Sequence, residues 1–419
     1  MDRRVFLLLT LAGVADPSGL SSPPGSGAGP GAGDDIIAQF EAWMNDYIDR
    51  AIRAGAPADV VRREFAGLTP DPQVIALDGR QAEFSKPIGA YVQGVVTDAR
   101  VAEGVARRRG LAGLPAVEAR YGAPAEVLVA IWAIESGFGA IQGQKDVLRS
   151  LASLATAGRR RAWAESQIGA LITIIATSRA VRAQLKGSWA GAMGQTQLEP
   201  DAFLTYAVDG AGDGRPPDIW GSPIDALASA ADLLAHDGWR PGERWDCEVI
   251  LAPGFDYSLA EGPAQTADVW AELGAVRADG GTWNAKDAAA PAQLILPAGA
   301  KGPAFLTFPN HGVIRQYNNS TAYALSVGLL ADRIAGAAPL KTPWPVETPL
   351  SLADRLDAQN ALMKLGFNPG PVDAMIGLST RIALRAWQKS RGLPADGYLS
   401  PEALSRLRAE AGLAPGPPT

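Results

Sequence analysis

Val127-Leu-Val-Ala-Ile-Trp-Ala-Ile134 is an unbroken apolar run that ends on Glu135 and is followed by Ser136-Gly137-Phe138-Gly139. Pro124 takes the place of a first-turn proline, and the run is long enough for about two helical turns, so a buried helix that stops at the glycines is expected. Glu135 then lies at the helix's C-terminal end, where the helix dipole and apolar surroundings both disfavour an ionised carboxylate. A carboxylic acid kept protonated near neutral pH is what a general acid requires. The competing reading is an ordinary helix-end glutamate turned to water, and residues elsewhere in the chain must decide between the two.

The 419 residues leave room for two or three domains, and 47% hydrophobic with 20% charged residues is a globular balance able to bury a core. A net charge of -6 and a pI near 5.2 argue against nucleic acid or an anionic membrane surface as the main partner, because both select clustered Lys and Arg. The triplets Arg107–Arg109 and Arg159–Arg161 are expected on solvated helix faces. A single cysteine, Cys247, excludes an intramolecular disulfide. With only His236 and His311 beside it, no thiolate or imidazole zinc cluster is expected and no cofactor is implied.

Residues 1–33 have the form of a secretory signal peptide and tail: Arg3 and Arg4, the apolar Val5–Ala15, then a Gly/Ser/Pro tract to Gly33. The apolar stretch is too short to span a bilayer. A disordered tail beginning with leucines is the rival reading. No cysteine follows the run, so no lipid anchor is expected, and export to the periplasm or cell envelope is.

From Asp34 the pattern turns helical, with Ile37, Phe40, Trp43, Tyr47 and Ala51 at three- and four-residue spacing and Gly55 as a stop. Val74–Asp78 reads as a short extended piece, and Ile88, Tyr91, Val95 and Ala99 as one further helix. Helices are expected over Asp146–Ala157, Arg161–Ala180, Ile224–His236 and Thr321–Ala335, with strands confined to Ala292–Leu296 and Phe305–Phe308. The result is a mainly α domain over 34–335 with a small β hairpin. Residues 336–350 are a Pro-rich linker, and 351–412 form three short helices, a binding module rather than an enzyme. Within it, Asp373-Ala-Met-Ile-Gly377 and Asp396-Gly-Tyr-Leu-Ser400 suggest a pseudo-repeat.

Three blocks, Ala133–Gly139, Gly187–Pro200 and Arg315–Tyr323, resemble in order and spacing the signatures of membrane-bound lytic murein transglycosylase B and its relatives. Leu352–Leu407 resembles the three-helix peptidoglycan-binding domain, with Ala374 where that module usually has glycine. The resemblance implies a lysozyme-like helical catalytic domain that cleaves the β-1,4 bond between N-acetylmuramic acid and N-acetylglucosamine, leaving a 1,6-anhydromuramoyl end. Glu135 would act as acid and then as base, without a second carboxylate. Ser188 and Gln197 would hold the sugar chain beside the glycines at 187, 191 and 194; Tyr317, Asn318 and Tyr323 would bracket the acid, and Phe138 would form a wall. Glu199 reads as a variable loop residue. Asp209–Gly214 has the start of a calcium loop but Ala211 at a ligand position, so an unmetallated turn is expected, with Asp225 able to close a site only across a lengthened loop. The partner implied is the peptidoglycan glycan strand, and the protein is expected to be a monomer. A hydrolytic muramidase and an inactive peptidoglycan-binding scaffold are the alternatives.

Overall fold

The computed structural model describes residues 32–80, 86–156, 158 and 160–413; the leader expected over 1–33 lies, but for its last two residues, outside them. Two compact units emerge: a first unit made of Ala102–Asp237 with the helices that precede residue 81, and a second made of Ala82–Val101 with Gly238–Thr419.

The first unit is helical. Helix Ala32–Arg53 buries Phe40, Trp43 and Tyr47 at the expected spacing, whereas Ile37 is 47% exposed and drops out of the stripe. Val74–Asp78 is not extended but lies within helix Pro72–Arg80; the Asp71 carboxylate accepts the Gln73 N–H at 3.0 Å and starts that helix, a cap signal that outweighs the β-branched Val-Ile pair. Helix Arg161–Ala176 stops four residues before the expected Ala180, and Val147–Thr156 packs along it. At the centre is helix Ala125–Ser136, buried from Val127 through Ser136 and flanked by Leu114–Tyr121 and Pro223–His236. Being apolar all round, it has no solvent face to present. Pro124 stands one position earlier than expected, at the cap rather than in the first turn. The arginine triplets are not simply solvated. Arg160 forms a buried pair with Asp78 at 2.6 Å and lies over the Trp189 ring, and Arg108 pairs with Glu126 in the first turn of the central helix at 2.7 Å.

In the second unit, the expected hairpin is the middle of a larger sheet. Strands β1 (Lys145–Asp146) and β2 (Lys186–Gly187) pair in the first unit. The second holds β3 (Asp246–Leu251), β4 (Gln265–Thr266), β5 (Ala275–Arg277), β6 (Pro291–Ile295) and β7 (Ala304–Thr307), antiparallel in the order β4-β6-β7-β3-β5. β6 and β7 pair as Leu294↔Leu306, and β3 joins them through Cys247↔Leu306. One face buries Cys247, Val249, Leu294 and Leu306 around Trp270. Helix Thr321–Ala335 has the expected bounds, with Leu325, Leu329 and Ile334 buried. The helix expected through Ile88, Tyr91, Val95 and Ala99 is two, Ile88–Val95 and Asp98–Gly110, and the first buries Gly89 and Val92 instead.

Residues 337–350 have no helix or strand, yet they are tied down: the Lys341 and Thr342 N–H groups bond the Glu248 carboxylate at 2.8 and 2.7 Å, and Trp344 is buried against Gly89. Three helices follow, Leu352–Lys364, Leu378–Ser390 and Pro401–Ala411, with Leu362, Leu384, Trp387 and Leu407 in their core. Ile382 and Ala386 lie on the exposed face of the middle helix, although both are apolar. The two Asp turns are a structural repeat. Ala374 and Gly397 both have left-handed backbones, φ 63° and 71°, and their N–H groups bond the side-chain oxygens of Gln359 and Gln388 at 2.8 Å each. Glu261 receives Arg381 and Arg385 of the middle helix, which docks these helices on the sheet.

Candidate active site

Glu135 is the last residue but one of the central helix and is 4% exposed, so it is not a glutamate turned to water. The Gly137 and Phe138 N–H groups close the helix on the Ala133 and Trp132 carbonyls at 3.1 and 3.2 Å. Both residues are left-handed, φ 57° and 59°. For a phenylalanine that costs about 1 kcal/mol or more, and its ring supplies the compensation. The ring meets Trp132 edge-on at 5.5 Å, and the Arg107 guanidinium lies over both rings at 5.7 and 5.9 Å. Arg107 therefore covers the aromatic shoulder of the helix end while pairing with Glu103 at 2.6 Å.

The 187–200 block folds against this end. Gln195, a residue the sequence reading passed over, is 4% exposed and joins three parts of the unit. Its side-chain oxygen accepts from Trp132 Nε1 at 2.9 Å, its amide nitrogen donates to the Trp220 carbonyl at 3.0 Å, and its own carbonyl accepts the Ser136 hydroxyl. A side chain on Gly139 would meet the Gln195 amide at 2.5 Å, which accounts for the second glycine of the Gly-Phe-Gly sequence. The glycines at 187, 191 and 194 were expected to let backbone approach a sugar chain. Each also has a close neighbour within the protein: an added Cβ would meet the Ala192 carbonyl at 2.1 Å, Leu151 at 2.7 Å and Ile219 at 2.7 Å respectively. Ser188 accepts the Ala190 and Ala192 N–H groups at 3.3 and 3.1 Å, and Gln197, left-handed at φ 52°, donates to the Gly194 and Gln142 carbonyls at 2.8 and 3.1 Å. Both polar side chains thus brace the loop. Glu199 stands at the N-cap position of helix Pro200–Tyr206.

Tyr317, Asn318 and Tyr323 belong to the second unit. The tyrosine rings lie near-parallel, 6.4 Å between centroids and 9° between planes, and are 3% and 1% exposed. Such burial leaves little of either ring face for a sugar to stack on. Asn318 follows helix Pro309–Tyr317 in an extended conformation and is 4% exposed. A capping role for it at the next helix is ruled out: Ser320 caps that helix, accepting the Tyr323 N–H at 3.3 Å.

The Asp209–Gly214 turn is held by its own carboxylate. Asp209 accepts the Gly212 and Gly214 N–H groups at 2.6 and 2.8 Å, and these bonds, Gly214's foremost, hold its carboxyl below the usual range. Asp225 does close the loop, but with hydrogen bonds, accepting from Gly210, Ala211 and Asp218 at 3.0 Å each. Among the described residues no group of three or more His, Cys, Asp or Glu comes together to hold a metal ion. The residues present do not fit calcium, which takes six to eight oxygens.

Residues 39–332 match the transglycosylase SLT domain family, and residues 351–407 match the peptidoglycan binding domain family. Over 227 residues the chain is 33% identical to membrane-bound lytic murein transglycosylase B of Escherichia coli (strain K12), covering 51% of this chain and 58% of that relative's length. SltB3 from Pseudomonas aeruginosa, solved in complex with NAG-anhNAM-pentapeptide and with NAG-NAM-pentapeptide, is 45% identical with a TM-score of 0.84, covering 88% of this chain and 99% of that one. Slt35 of Escherichia coli, solved in complex with calcium, is 25% identical with a TM-score of 0.60, over 70% of this chain and 92% of that one.

Proposed function

The chain belongs to the transglycosylase SLT domain family, and from that premise we propose that it is a lytic transglycosylase of peptidoglycan with Glu135 as its single catalytic acid and base. Glu135 gives its proton to the glycosidic oxygen as the bond from C1 of N-acetylmuramic acid breaks and the electron pair leaves with O4 of N-acetylglucosamine. The resulting carboxylate takes the proton of the C6 hydroxyl while O6 bonds to C1, so the ring closes and water takes no part. The observation that carries this reading is the burial of Glu135 at the end of an apolar helix whose terminus is braced by Gln195. A desolvated carboxyl is well suited to donate and recover one proton. The two pentapeptide complexes of SltB3, one with an anhydro sugar, support the same chemistry.

Asn318 orients the acetamido group of the sugar through its side-chain amide, the hydroxyls of Tyr317 and Tyr323 hydrogen-bond the glycan, and Phe138 forms a wall. Ser188 and Gln197 keep the loop beside Glu135 in shape, with their remaining hydrogen-bonding capacity directed to sugar. Residues 351–412 tether the enzyme to insoluble wall, and the protein acts as a monomer in the cell envelope. No helix among the described residues is long and apolar enough to cross a membrane.

Mass spectrometry of digested cell wall tests the reaction: 1,6-anhydromuramoyl ends are expected, and reducing ends alone would replace this reading with hydrolysis. Truncation tests the module. A cut after Pro349 keeps Trp344 and the bonds to Glu248, and should retain activity on soluble glycan fragments but sediment less with intact sacculi.

A further inference from the structure

A cavity of about 440 Å³ lies in the second unit beside the tied-down segment 337–344, and shares no residue with the candidate active site. Strand β3 lines it at Asp246 and Glu248, helix Thr321–Ala335 at Leu329 and Asp332, and Val92 and Trp344 complete its apolar wall. Most charged groups around it are already matched. Arg333 pairs with Asp98 at 3.1 Å, Arg244 with Asp287 at 2.8 Å, and Asp279 with Arg277. Glu248 is occupied by the Lys341 and Thr342 backbone, and the Lys341 residue itself is exposed. Asp246 is different. It is 5% exposed, and its Oδ2 has no hydrogen-bond partner. Its neighbour Asp332, whose Oδ2 accepts the Trp245 indole N–H at 3.1 Å, lines the same cavity.

We propose that this cavity binds a small organic cation, a primary ammonium on an apolar stem, with Asp246 and Asp332 as its counter-charge. An ammonium brings three N–H donors and can satisfy both carboxylates, whereas a neutral apolar guest would leave the Asp246 oxygen without a partner. The apolar wall suits the stem. A metal ion is the poorer occupant, because among the described residues no third acidic, histidine or cysteine ligand joins the pair. Burial first, and the Asp332 charge second, hold the Asp246 carboxyl well above the usual range, with Glu248 adding to that and Arg244 opposing it. The carboxyl meets the ammonium ion as a carboxylate, so any proton it holds leaves to solvent on binding. The inference does not rest on the transglycosylase reading.

Titration calorimetry of the full chain near pH 7 with n-butylammonium chloride and with n-butanol, in two buffers of different ionisation enthalpy, tests it. One saturable site is expected for the amine, at least about tenfold tighter than for the alcohol, with release of up to one proton per amine bound. Absence of saturable binding, or equal binding of the alcohol, would each overturn the proposal. Asp246→Asn keeps the side chain's shape while removing its capacity for negative charge, and should keep the melting midpoint, weaken the amine at least tenfold and leave the alcohol unchanged. Unchanged amine affinity in that folded variant overturns the proposal as well. If the variant does not fold, the amine-against-alcohol comparison on the unaltered protein decides alone.

Discussion

Gln195 at the Glu135 helix end and the pair Gln359 and Gln388 in the C-terminal helices meet the same need, since each is a buried amide bonding backbone that would otherwise have no partner. They differ in reach. Gln195 binds Trp132, 63 residues earlier in the chain, and Trp220, so it exists as a brace only once three remote segments have come together. Gln359 and Gln388 bind turns 14 and 8 residues away. A brace between remote segments sets the position of a catalytic group, whereas a local one shapes a turn whose loss remains local. Damage at Gln195 should therefore reach turnover, and damage at the twin turns should stop at stability.

The largest effect is expected where the comparison is broken outright. Glu135→Gln keeps the fold but cannot exchange a proton, so turnover should fall by about three orders of magnitude or more while the melting midpoint holds. More than a small residual turnover would remove Glu135 from its role. Asn318→Ala should lower kcat by roughly tenfold to a thousandfold with a smaller change in KM, as one positioned hydrogen bond would. Because Ser320 is the helix cap, its midpoint should barely move, and a lowered midpoint with unchanged kcat would show the residue to be structural. Gln195→Ala strands the Trp132 indole and the Trp220 carbonyl, a loss of about 2–4 kcal/mol, and should also lower kcat of the folded fraction. Wild-type kcat in that variant would erase the proposed distinction between remote and local braces.

The twin turns sharpen the local side. A Cβ on Gly397 would lie 2.9 Å from both the Arg381 carbonyl and the Arg385 side chain, so Gly397→Ala should cost about 1–3 kcal/mol in denaturant unfolding. Ala374 occupies the equivalent left-handed position with its methyl already accommodated. Ala374→Gly relieves about 1–2 kcal/mol of backbone strain but adds entropy to the unfolded chain, so the net gain should be no more than about 1 kcal/mol. Neither substitution should alter kcat on soluble fragments, and a loss there would tie the module to the chemistry.

Several elements were legible because local patterns carry them. The apolar run to Ile134 with the glycines behind it gives a buried helix ending beside Glu135, and the helix Thr321–Ala335 has the bounds expected for it. The doubled Asp turns were visible as a repeat, and the family of both parts could be read from the motif blocks. What was misread depends on partners remote in sequence. Asp246–Leu251 carries two acids in six residues and becomes a strand only between β5 and β7. Ile382 and Ala386 have apolar character, but the packing of the three helices turns Ala383, Leu384 and Trp387 inward instead. The 187–200 glycines announce close approach without saying to what, and only the packed loop identifies its own backbone, Leu151 and Ile219 as the neighbours. Sequence by itself thus determined the helix that ends at Glu135 and the order of the motifs, because periodicity, caps and glycine stops act within a few residues. Tertiary structure alone decided that Gln195 braces that end and that Asp246 is buried against Asp332, because burial and hydrogen-bond satisfaction belong to segments that meet only in the folded chain.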